Sequence, residues 1–141
     1  MPNSVMLEVT TPSKLFYKGE VDLVIVRTLT GDEGFMAGHS WAVKLLDAGE
    51  LWFQEAGSKD FKIAALAGGF IDVKDSITIF TDAAEWPGDI DVTRAEREKE
   101  QAENWLKNPS EDDSEIARAK IAIAKSLTRM HVKQGGRRRK R

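Results

Sequence analysis

The sequence predicts an α+β protein: an N-terminal antiparallel β sandwich of about ten short strands, followed by a C-terminal antiparallel α-helical hairpin. Three observations carry that reading. Apolar residues alternate with period two through the first 82 residues, glycines interrupt the alternation at short intervals, and from Val92 onward the apolar spacing becomes helical. The change falls at Glu85-Trp86-Pro87-Gly88-Asp89-Ile90-Asp91.

Taken in order, Val5, Leu7 and Val9 alternate with Met6, Glu8 and Thr10, the pattern of a half-buried strand that stops at Thr11-Pro12. Val21, Leu23 and Ile25 alternate with Asp22, Val24 and Val26, which makes a strand apolar on both faces and therefore central. The pairs Leu51 and Phe53, Phe61 and Ile63, Ile71 and Val73, and Ile77 and Ile79 continue the series. Gly31, Gly34, Gly38, Gly49, Gly57 and Gly68-Gly69 punctuate it, as in an antiparallel sandwich or flattened barrel. Pro87-Gly88 closes this module, giving a β domain over residues 1–86.

The hairpin is expected over residues 87–133. Asp91 stands where an N-cap is needed, because its carboxylate can accept the free amides of a first helical turn. Val92, Ala95, Ala102 and Leu106 then mark one helix, ended by Asn108-Pro109, since proline lacks the amide that would continue it. Ser110 or Asp112 can cap a second helix with the stripe Ile116, Ala119, Ile123, Leu127 and Met130, fading near Val132. The short connection makes the helices antiparallel. Residues 134–141 read as a disordered basic tail. A seam so rich in alanine closes tightly but weakly, because burying a leucine is worth roughly 1.5–3 kcal/mol and alanine offers little more than a methyl group.

Composition narrows the function. Hydrophobic residues make up 41% of the 141 residues, enough for a real core, and the absence of cysteine excludes disulfides and thiolate metal sites. Residues 1–11 have no secretory signal pattern, and no apolar run is long enough to cross a bilayer. The net charge of −2 hides a division. Residues 1–113 carry 11 Lys+Arg against 22 Asp+Glu, whereas residues 114–141 carry 10 against Glu115 alone. A basic arm on an acidic body is drawn back onto that body or toward an anionic partner. The two histidines, His39 and His131, lie far apart without metal-ligand spacing, so no metal is expected. Gly31 to Gly38 lacks the Gly-Lys-Ser/Thr ending of a phosphate loop, and no Ser/His/Asp set stands out. The chain thus reads as non-catalytic. Trp52 is expected in the sheet and Trp105 beside the hairpin seam, with Trp41 and Trp86 as interface anchors at loops.

Three stretches stand out: Val9-Thr10-Thr11-Pro12 with Gly19-Glu20-Val21; Gly68-Gly69-Phe70-Ile71-Asp72-Val73 through Ile77-Thr78-Ile79 and Asp82-Ala83-Ala84-Glu85; and Ile90-Asp91-x-x-Arg94-Ala95. In this order and spacing the chain resembles the epsilon subunits of F-type ATP synthases over nearly its whole length. The middle loop departs from the family pattern Gly-x-Leu-Pro-x-His-x-Pro: this chain has Gly34-Phe35-Met36-Ala37-Gly38-His39-Ser40-Trp41, keeping His39 without either proline.

The resemblance implies a rotor component whose partners are the gamma subunit, the c-subunit ring and the alpha/beta catalytic head. It would lie peripherally at the cytoplasmic face of a bacterial cell membrane, reaching the membrane only through the complex. Its hairpin would fold against the sandwich or extend into the head and block ATP hydrolysis. No cofactor would be required, but regulatory ATP would bind a pocket of Glu85, Ile90, Asp91, Arg94, Ala95 and Arg129. Lys125 stands where the family's arginine is typical, and Gln101 replaces another. Arg118, Lys125 and Arg129 would make the inhibitory contact. Two plainer readings stand beside these: Asp91 and Arg94 serve as an ordinary helix start, and Arg118, Lys120, Lys125, Arg129 and Lys133 as a solvated face. A third, from another class, is a free-standing binding module whose basic arm grips nucleic acid. Residues 137–141 could meet RNA, acidic lipid or the acidic body of the chain itself.

Overall fold

The computed structural model describes residues 3–109 and 112–136. The expected cap Ser110 and the Arg137 to Arg141 end of the expected tail lie outside the described residues. Seven strands are found there: β1 (Val5–Thr10), β2 (Leu15–Thr28), β3 (Gly31–Phe35), β4 (Ala42–Glu55), β5 (Phe61–Val73), β6 (Ile77–Phe80) and β7 (Ala84–Glu85). A single 3₁₀ turn (Pro87–Asp89) leads into α1 (Val92–Lys107) and α2 (Asp113–Lys133).

The strand number is about seven, not ten, because three strands are long. β2 and β4 have 14 residues each and β5 has 13, and β4 and β5 run past glycines that the sequence presents as breaks. Gly49 pairs with Leu66 and Gly69 with Leu46 in one continuous β4–β5 register. These glycines bend strands instead of ending them. Gly69 has φ +121°, and a Cβ there would land on the Phe80 carbonyl oxygen. Only glycine allows β5 and β6 to pass so closely.

β1 decides the architecture. It pairs antiparallel with β2 (Val5 opposite Val21) and parallel with β6 (Leu7 opposite Ile77), closing the ring β1-β6-β5-β4-β2 into a flattened barrel. That parallel pair departs from an all-antiparallel expectation. β3 extends the sheet beyond β2, and β7 adds to β5. Inside, Leu7, Val9, Phe35, Leu51, Phe53 and Ile79 are fully buried. The irregular register between Val21 and Leu23 shifts the phase of β2, so that Val21, Val24 and Val26 all point inward.

Trp86 helps seal one end. It stacks on Phe16 with ring centroids 4.4 Å apart and edges against Tyr17 at 6.3 Å, so it packs the barrel rather than anchoring an outside contact. The Tyr17 hydroxyl donates to Glu55 Oε2 at 2.8 Å. Burial first, then the neighbouring carboxylate, pushes the Tyr17 pKa upward, because both disfavour the phenolate.

Both helices are capped by aspartate. Asp91 Oδ1 accepts from the Arg94 amide at 3.0 Å, and Asp112 Oδ1 accepts from the Ser114 amide at 2.9 Å. Hydrogen bonds from Ser114 hold the Asp112 carboxyl below the usual carboxylate range. Ala95 and Ala102 are buried on α1, as the stripe predicts. On α2 the stripe is wrong in part. Ser126, Thr128 and Val132 are buried, while Leu127 is 38% exposed. The helix faces two neighbours at once, α1 and the sheet, so its buried surface does not follow a single apolar stripe. Thr128 is accommodated because its hydroxyl donates to the Ala124 carbonyl at 2.9 Å.

Replacing Gly69 with alanine should destabilise the barrel by about 2–4 kcal/mol, since neither the positive φ nor the Phe80 contact can be relieved locally. Urea unfolding followed by circular dichroism reads that loss directly.

Candidate functional site: the hinge and the docked hairpin

α2 is laid over β4 and β5, and its last turn makes the tightest apolar contact. Val132, fully buried, meets Ala65 and Ile90, with Ile63 and Val92 packed around them. The end of α2 lies where the sequence reading placed the start of a disordered tail, but residues 134–136 form an ordered helix cap. The Gly135 amide donates to the Val132 carbonyl at 3.0 Å and the Gly136 amide to the His131 carbonyl at 2.6 Å. This crossed pair of bonds needs a left-handed residue, and Gly135 supplies it with φ +104°. Gly136 lies against the sheet itself, where a Cβ would collide with Ile63 Cδ1 and Trp52 Cζ2.

On the other flank of α2 the charges gather. Arg129 Nε lies 2.7 Å from Glu85 Oε1 of β7, an ion pair off the N–H axis, while its Nη2 donates to Glu85 Oε2 at 3.4 Å. Arg129 Nη1 lies 3.6 Å from Glu98 Oε1 of α1, and Arg94 Nε reaches that same Oε1 at 2.9 Å. One guanidinium therefore links strand, first helix and second helix. Ile90 and Ala95 are both buried, Ile90 against Val132 and Ala65. Of the sequence-predicted nucleotide residues, Glu85, Arg94 and Arg129 are joined by ion pairs through Glu98, Asp91 caps the helix that carries Arg94, Ile90 packs against Val132, and Ala95 is buried on α1. Glu98 was missed, although its i+4 spacing from Arg94 was a legible signal.

Lys125 and Arg118 do not converge on the cluster. Half-buried Lys125 lines a groove of about 680 Å³ between α2 and the sheet, with Lys120, Thr128 and Asp82. Exposed Arg118 lies in a groove between the helices with Gln101, Trp105 and Ala119. Trp52 is buried in the sheet and Trp41 is 68% exposed. In the middle loop Gly38, with φ +82°, makes the turn, and the His39 amide closes it on the Met36 carbonyl at 3.2 Å. No group of three His, Asp or Glu side chains suited to a metal occurs among the described residues, and no described helix is long and apolar enough to cross a membrane.

A self-closed barrel carrying a helix pair on its outer wall, pinned at one charged hinge, defines a two-part docking protein. Residues 4–87 match the family model of the ATP synthase delta/epsilon chain β-sandwich domain, and residues 89–134 that of its long α-helix domain. The chain belongs to the ATP synthase delta/epsilon chain family. It is 37% identical over 134 residues to the ATP synthase epsilon chain of Caldanaerobacter subterraneus, covering 94% of this chain and 95% of that one. With the ATP synthase epsilon chain of Alkaliphilus metalliredigens it shares 43% over 107 residues, 75% of this chain and 78% of the other. The fold is that of a chain in the Euglena gracilis mitochondrial ATP synthase (OSCP/F1/c-ring, rotational state 1), with a TM-score of 0.78, 24% identity, and 91% and 80% of the two chains covered. A chain of the Tetrahymena thermophila central stalk/c-ring shares it at a TM-score of 0.67, 14% identity, and coverage of 92% and 96%.

Gly136→Val should push the last turn of α2 off Trp52 and Ile63, weakening hairpin docking by about 1–3 kcal/mol. Hydrogen exchange should then accelerate at α2 amides while the amides of β1 and β6 keep their protection.

Proposed function

We infer that the chain is a non-catalytic central-stalk subunit of a bacterial F-type ATP synthase, held peripherally at the cytoplasmic face of the cell membrane. It couples an ion-driven c-subunit ring, through gamma, to the alpha/beta catalytic head, and its hairpin restrains ATP hydrolysis when it leaves the barrel. One observation carries this reading: the barrel core is complete without the hairpin. The hairpin's own buried residues are Ala95, Ala102, Ser126, Thr128 and Val132, a set too small to be indispensable. Such a contact opens for a few kcal/mol, a range that a ligand or partner supplies.

The seat for gamma is the outer apolar face of β4, β5 and β6. Leu45 lies opposite Phe70 and Phe70 opposite Phe80, with the two phenyl rings stacked at 4.8 Å. Leu45 is 61% exposed, and Val43 and Trp41 extend the patch along β4. A contiguous apolar face on an acidic body favours a protein partner over nucleic acid. ATP is the regulatory ligand at the hinge, where the forks of Arg94 and Arg129 suit phosphate oxygens and Asp91 and Glu85 can accept from ribose or adenine groups. Arg118, Lys125 and Arg129 meet acidic groups of the catalytic head once the hairpin extends, where opposite charge sets on-rate and register.

In the assembled complex, removing residues 91–141 should raise ATP hydrolysis severalfold, and Arg118→Ala with Lys125→Ala should give part of that rise. Steady-state ATPase assays decide it; unchanged latency in both refutes the inhibitory role. Leu45→Glu with Phe70→Glu should abolish co-purification with gamma while the circular dichroism spectrum of the free subunit stays unaltered.

A further inference from the structure

The two arginines offered to a nucleotide at the hinge already share an anion. Glu98 Oε1 lies 2.9 Å from Arg94 Nε and 3.6 Å from Arg129 Nη1, the only atom that touches both guanidinium groups among the described residues. We propose that Glu98 is an internal competitor for the ligand: its carboxylate occupies the place of a phosphate oxygen, so that a nucleotide enters only by displacing it. The proposal rests on the hinge being a nucleotide site and sets the threshold at which that site fills.

The charges facing the cluster support it. Glu85 from β7 and Glu98 from α1 meet the guanidiniums of Arg94 from α1 and Arg129 from α2, two carboxylates against two guanidiniums, and Asp91 adds a third carboxylate at the Arg94 backbone amide. Without ligand both guanidiniums are thus already neutralised, and an approaching polyphosphate finds no free positive charge. One carboxylate has to leave. Glu85 is held on a strand and takes Arg129 through both oxygens. Asp91 is committed to capping α1. Glu98, on a helix surface with its side chain 43% exposed, can rotate into water with its backbone in place. Its departure frees one nitrogen on each arginine for the incoming anion. The same bridge ties α1 to α2 when no nucleotide is bound, so Glu98 also holds the hairpin closed while the site is empty.

The experiment uses the full chain and its Glu98→Gln variant, which keeps the size of the side chain and removes its charge. Calorimetric titration with Mg-free ATP should show the variant binding about three- to tenfold more tightly, the scale expected when two partly exposed ion pairs stop competing. Glu103→Gln, one turn further along α1 and paired with Lys99 outside the cluster, should leave the affinity unchanged. Without nucleotide, α2 amides of Glu98→Gln should exchange about two- to fivefold faster than those of the unsubstituted chain. If the unsubstituted chain binds ATP and Glu98→Gln binds it no better, or Glu103→Gln gains as much, competition by Glu98 is overturned. If neither protein binds ATP at millimolar concentration, the nucleotide-site reading falls, and exchange decides what remains. Faster exchange keeps Glu98 as the closing bridge, and unchanged exchange removes it altogether.

Discussion

Everything in the molecule depends on β1 finding two partners. By pairing with β2 on one side and β6 on the other, it turns an open sheet with two exposed edges into a ring whose hydrogen bonds are satisfied internally. Leu7 and Val9, both fully buried, then complete a core that borrows nothing from the helices. Had β1 been missing, α2 would have been needed as a lid over an open sandwich, and a helix that serves as a lid cannot leave. Closure of the barrel is what leaves the hairpin outside the main core.

The hairpin is fastened by three unlike contacts. The apolar one is Val132 among Ala65, Ile90 and Ile63. The steric one is Gly136, whose missing side chain lets the helix end lie flat against Trp52 and Ile63. The ionic one is Arg129 between Glu85 and Glu98. The first two sit at the C-terminal end of α2, and the third adds a charged link from its flank to α1 and β7. Ionic contacts respond to other anions in a way that apolar contacts do not. On the proposed reading, a charged ligand would therefore act at the flank, and the end contact would set how far the helix must be loosened before it departs.

Much of this was legible in the sequence, and the misses share a cause. Local rules found the strands, the Asp91 cap and the break at Asn108-Pro109, because each is decided by neighbours a few residues away. The errors arise where distant segments decide. Gly49 and Gly69 look like strand ends, yet they are bends permitted by Arg27 and Phe80 passing close by. The parallel β1–β6 pair joins segments about seventy residues apart, and period-two alternation carries no direction. Leu127 follows the stripe but faces out, since α2 answers to two packing partners and not to one axis. At the hinge, Ile90-Asp91-x-x-Arg94-Ala95 was visible as a motif and Glu85 as a partner from the sheet. Glu98 was legible only as an i+4 partner of Arg94, because nothing local shows that Arg129 will arrive at its carboxylate.

That last miss bears on how such a hinge is tuned. A site built only from arginines would hold the hairpin open by mutual repulsion until an anion arrived, coupling closure wholly to ligand. With a carboxylate on the neighbouring helix, part of the ligand's electrostatic work is done inside the chain, so the closed state is populated in its absence. The ligand then adds only the difference between its own contacts and those of the carboxylate it displaces. On the proposed reading, a single residue nearly two turns into α1 thereby trades sensitivity for standing closure.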